Sequence, residues 1–148
     1  MNLHTIFKDL LYIGLWILKL FRNPINIYIV VYKDKIKIIS LDTDKEIISN
    51  KNVTFSSSRM LIATPLTIEK LGNELFKKLY PSIDIKTRKI KILCQPIDEI
   101  LSELSQSEKM IFEDFLMQIG GNQTRIISDK NELSLTQAKT RINKEFNR

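Results

Sequence analysis

The chain has 148 residues, enough for one domain and little more. Its 43% apolar and 27% charged residues are ordinary for a globular fold, and eight Gly and Pro residues are too few for a linker-type chain. One cysteine, Cys94, excludes an intramolecular disulfide and a cysteine-based zinc site, one histidine, His4, excludes His-based metal centres, and the net charge of +6 favours acidic partners or surfaces.

Residues 3–22 predict a helix that ends at Arg22-Asn23-Pro24, since proline disfavours helix in the residue before it. At about 100° per residue, Thr5, Lys8, Asp9, Tyr12 and Lys19 share one side, flanked by His4 and Arg22. Ile6, Phe7, Leu10, Ile13, Ile17, Leu18, Leu20 and Phe21 cover the other, with Trp16 at its edge. A spanning helix needs about 20 mostly apolar residues. Here the uninterrupted run is Leu10–Leu18, closed by Lys19. No small-residue cleavage site follows, as a signal peptide would require. A cationic polar face, aromatic flanks and a thick apolar face fit a helix lying in a membrane interface. The competing reading is a helix docked on its own domain or on a partner protein. The expected membrane- or partner-binding residues are Phe7, Lys8, Leu10, Ile13, Trp16, Ile17, Lys19, Leu20, Phe21 and Arg22.

Residues 25–32 alternate as a strand, Lys33-Asp34-Lys35 turns, and 36–41 forms a second strand. Asp42-Thr43-Asp44 turns again into 45–48, and 53–55 and 60–62 are candidates for more strand. Asp42, Asp44 and Glu46 lack the central glycine and later glutamate of a calcium loop, so turn chemistry is expected. Thr64-Pro65 opens a helix carrying Ile68, Leu71, Leu75 and Leu79 on one face, and Tyr80-Pro81 closes it. Lys89–Leu93 is a short strand running into Cys94-Gln95-Pro96, with Cys94 expected to be buried and inert. Lys86, Arg88, Lys89 and Lys91 form a basic patch there. It could bind phosphate, lipid headgroups or nucleic acid, but lysines guarding a strand edge explain it better. Tyr28, Tyr32 and Phe55 are expected to pack in the core rather than stack bases.

Ser105 and Glu108 have capping-box spacing and open a helix with Ile111, Phe112, Phe115, Leu116 and Ile119. Gly120-Gly121 stops it. The acidic residues Glu99, Glu103, Glu108, Glu113 and Asp114 around this helix are expected to be solvated. A strand over 125–128 and a helix over 133–143 complete the chain. The expected fold is α/β of the α+β kind, a single domain: an amphipathic helix over 1–23, then a small αβ domain over 24–148 with a mixed sheet in the order ββ(β)αβαβα.

That order resembles subdomain IA of bacterial actin-like proteins of the MreB and PilM type. Residues 25–39 match the first hairpin, 68–80 the first helix and 89–96 the strand ending in a Val-Pro-like pair. Residues 107–121 match the next helix, and 125–136 the last strand and helix start. The match covers about 110 residues in pattern only. In that family the hairpin turn carries Asp-x-Gly for ATP phosphates, and the chain often begins with a short membrane-binding helix. Here Tyr28 stands at the Asp position and Val30 at the Gly position. The resemblance therefore implies a degenerate half-domain without ATPase activity. No catalytic constellation is visible, so we expect a non-enzymatic binding or scaffold protein without cofactor or metal. Its place would be the cytoplasmic face of a bacterial inner membrane, in a cell-shape, pilus or secretion assembly. Its partners would be proteins of that assembly and anionic lipid, with oligomerisation or a partner firming the attachment, and not nucleic acid. The alternative is a cytoplasmic adaptor or inhibitor whose first helix docks in a partner's groove.

Overall fold

The computed structural model describes residues 3–50, 52–82, 87–98 and 103–147. Among them are four α-helices and one five-stranded mixed sheet. Helix α1 spans Leu3–Phe21, followed by strands β1 (Ile25–Tyr32), β2 (Lys35–Ser40) and β3 (Glu46–Ile48). Then come α2 (Pro65–Leu79), β4 (Ile90–Pro96), α3 (Gln106–Gln118), β5 (Gln123–Ile126) and α4 (Leu135–Phe146). The expected class and element order are therefore present.

The sheet order is β3-β2-β1-β4-β5. β1, β2 and β3 form an antiparallel meander, while β4 pairs parallel to β1 and β5 parallel to β4. β1 lies at the centre, and its run of Ile27 to Val31 is fully buried. A strand covered on both faces reads as a continuous apolar run. Ile27, Ile29 and Val31 face one layer with Ile38, Ile92, Phe112 and Phe115, under α2 and α3. Tyr28 and Val30 face the other with Leu93, Ala138 and Ile142, under α4. The result is three layers, helix–sheet–helix.

Local chemistry sets the helix ends. Ser105 and Glu108 form the expected capping box. Ser134 and Gln137 form a second one that starts α4. Thr64 precedes Pro65 but makes no side-chain cap. Gly120 ends α3 at φ +105°, a backbone conformation that costs glycine little. Gly72 lets α2 approach α3: a Cβ there would sit 2.8 Å from Phe115 Cε2.

Several boundaries move. β4 runs on to Pro96, β5 lies at 123–126 rather than 125–128, and α4 at 135–146 rather than 133–143. Residues 53–55 and 60–62 are not strands. A polar clamp holds this loop instead. Asp34, at φ +53° in the β1–β2 turn, accepts hydrogen bonds from Phe55 N (2.9 Å) and Ser56 N (2.7 Å). Ser56 Oγ receives Asp34 N–H and donates to Leu61 O at 2.7 Å. Burial pushes the Asp34 carboxyl up, but the hydrogen bonds from Ser56 and Phe55 outweigh it and hold it below the usual range.

Candidate interaction surface

Helix α1 has 19 residues, and none of them is buried. Phe21 is 85% exposed, Phe7 73%, Trp16 63% and Leu10 61%. Ile13, Ile17 and Leu20 are also exposed. This overturns the reading of α1 as a helix docked on its own domain. The apolar stripe is exposed, and the two cores of the αβ body close without it. Lys8 is exposed and Lys19 half-buried on the polar side. Arg22 Nη1 donates to Thr87 Oγ1 at 2.8 Å, which ties the end of the helix to the strand approach before β4. No helix among the described residues is long and apolar enough to cross a membrane.

The basic patch is placed differently from the edge reading. β4 lies between β1 and β5, so Lys89 and Lys91 guard no sheet edge. Lys91 Nζ donates to Asn147 Oδ1 at 3.0 Å. Lys89 is exposed and Arg88 half-buried, while Lys86 lies outside the described residues. The patch instead adjoins α1, because Thr87, the partner of Arg22, precedes Arg88 and Lys89.

Tyr28 and Val30, which the resemblance matches to a phosphate-binding turn, lie within β1, before the turn at Lys33-Asp34. Tyr28 and Val30 are fully buried. The Tyr28 hydroxyl donates to Gln95 Oε1 and accepts from Leu133 N at 3.1 Å. Gln95 Nε2 donates to Asp129 O (2.7 Å) and Asn131 O (2.8 Å), stitching β4 to the loop before α4. Burial pushes the Tyr28 hydroxyl up to about 12, so it stays protonated at neutral pH. Beside it, Glu132 receives Lys37 Nζ at 2.8 Å and the Tyr32 hydroxyl. In sequence Gln95 is only the tail of a strand. Its partners lie more than 30 residues away, and no local spacing announces them.

The other candidates settle into structural roles. Asp42 accepts from Asn26 N (2.8 Å) and Asn26 Nδ2 (2.9 Å) in the turn after β2. Asp44, at φ +58°, pairs with Lys139. Glu108 serves its cap, Glu103, Glu113 and Asp114 are exposed, and Glu99 lies outside the described residues. Phe55 is fully buried, and Tyr32 lies under Lys35 Nζ at 4.0 Å. Cys94 is fully buried, and desolvation pushes its thiol up, away from reactivity. Among the described residues, no three His, Cys, Asp or Glu side chains group as metal ligands. A cleft of about 650 Å³ opens at the carboxyl ends of β4 and β5. Lys109, Arg125 and Lys130 line it together with Asp98, Glu103 and Glu113, so it offers no single sign of charge to a ligand.

No protein-family model matches the chain, and no curated protein matches it.

Proposed function

We propose that this is a non-enzymatic binding or scaffold protein held on the cytoplasmic face of a bacterial inner membrane by α1, within a cell-shape, pilus or secretion assembly. One observation carries the attachment: a 19-residue helix keeps its whole apolar face in water. Soluble monomers rarely leave so large a contiguous apolar patch uncovered. Burying such side chains is worth roughly 1.5–3 kcal/mol each when complete. Lipid is the favoured cover because the helix carries Lys8, Lys19 and Arg22 beside that face.

The αβ body supports kinship with actin-like subdomain IA through its connectivity, a meander followed by two parallel crossovers. The buried Tyr28–Gln95–Leu133 network supports a binding rather than a nucleotide-hydrolysing role, since the residues matched to Asp-x-Gly are buried and neither acidic nor glycine.

Vesicle flotation of the full chain tests the attachment. The protein should float with phosphatidylglycerol-containing vesicles, and Ile13→Glu or Ile17→Glu should weaken binding by about tenfold or more. Flotation unaffected by either substitution would refute it. Failure of the wild type to bind any vesicle would favour a protein groove as the cover for α1.

A further inference from the structure

The end of the αβ body from which α1 emerges is basic, and the fold rather than the sequence assembles it. Arg22 reaches Thr87 at 2.8 Å, and Ile25 N donates to Lys89 O at 2.8 Å, so 87–89 lie beside the start of β1. Lys89 is two residues beyond Thr87, a chain reach of at most about 7.6 Å between Cα atoms. Lys89 therefore lies close to the residue that Arg22 reaches. The last turn of α2 comes to the same end. Tyr80 Oη donates to Ser40 Oγ at 2.6 Å, and Leu41 N donates to Asn26 O at 2.9 Å. That turn carries Lys77 and Lys78, both exposed. The side-chain ammonium groups of Lys77, Lys78 and Lys89 have no hydrogen-bond or ion-pair partner among the described residues. Of the nearby acids, Asp44 pairs with Lys139 and Asp42 accepts from Asn26, while Glu74 lies one turn before Lys78 on α2, so the basic side chains of this end outnumber the acidic ones.

We propose that this end of the body is a second membrane contact, in which Lys77, Lys78 and Lys89 join Arg22 in meeting the phosphates of anionic lipid. This rests on the membrane reading of α1 and adds to it. An interfacial helix lies at headgroup depth, and the tie between Arg22 and Thr87 brings the basic end to that level. A few cations on a helix hold it only modestly, and three more lysines at the same end of the body raise affinity for anionic lipid specifically. They also orient the body, with the basic end toward the bilayer. The carboxyl ends of β1, β4 and β5, with the cleft of about 650 Å³ beside β4 and β5, then face the cytoplasm and remain open to protein partners.

The test compares the wild type, Ile13→Glu and the triple substitution Lys77→Gln, Lys78→Gln, Lys89→Gln, using vesicles with phosphatidylglycerol and vesicles of phosphatidylcholine alone. All three lysine side chains point into solvent, so the triple variant should fold as the wild type does. We expect it to bind phosphatidylglycerol vesicles roughly 10- to 100-fold more weakly, with a shallower salt dependence, and phosphatidylcholine vesicles unchanged. Wild-type affinity of the triple variant for phosphatidylglycerol, alongside loss of binding by Ile13→Glu, would overturn the second contact and leave the helix as sole anchor. Absence of wild-type binding to either vesicle would overturn the membrane reading itself.

Discussion

Tyr28 anchors a buried polar network between β1, β4 and the loop before α4. Its hydroxyl is shared between Gln95 and Leu133 in a place without solvent. Gln95→Leu would strip partners from Tyr28, Asp129 and Asn131, and should cost about 1–3 kcal/mol in denaturant unfolding. The hydroxyl also sets an alkaline limit. Its pKa is near 12 in the fold and about 10 when unfolded, so its contribution is complete below about pH 10 and is lost as pH rises toward 12. Tyr28→Phe should therefore flatten part of the alkaline fall in stability. Asp34 acts at the opposite limit. Its lowered pKa means its contribution is present above the ordinary carboxylate range and lost as pH falls through the folded value. Asp34→Ala frees the N–H groups of Phe55 and Ser56, and should cost about 1–3 kcal/mol with faster hydrogen exchange at both amides. None of these partnerships was legible in sequence. They join residues 21 to 105 positions apart, whereas sequence patterns report neighbours within a turn or a strand.

At the scale of elements, periodicity served well wherever burial is regular. The apolar run of β1, the heptad-like spacing of α2 and the capping box of α3 each announce what forms there. The segment 53–62 misled because its apolar residues, Phe55, Leu61 and Ile62, are buried by a clamped loop rather than by a ladder. The lysines of β4 misled because strand order is a long-range property: a basic strand at the sheet interior looks the same in sequence as one at the edge. Gly120 is a sharper case, where sequence and structure agree on a stop. With φ at +105°, Gly120→Ala should destabilise the protein by about 1 kcal/mol or more, measured as a fall in denaturation midpoint. Helix α1 should behave in the opposite way. Since it buries nothing in the body, Ile13→Glu should leave the free protein's unfolding free energy within about 0.5 kcal/mol of wild type.

For the whole molecule, the packed cores and the exposed apolar face are housed in separate parts, so the proposed attachment is separable from stability. The αβ body holds both cores, and α1 holds the uncovered apolar face. The amphipathic character of α1 was visible in sequence, but whether the body covers it was not, because that depends on the finished surface of the fold. The single tryptophan of the chain, Trp16, lies on this helix and is 63% exposed. Its fluorescence therefore reports on α1 alone. The decisive measurement is the Trp16 emission of the full chain as phosphatidylglycerol-containing vesicles are added. Emission should be water-like in the free protein, shift to the blue with vesicles and stay unshifted in Ile17→Glu. Emission unchanged by vesicles, or already blue in the free monomer, would contradict the proposed attachment.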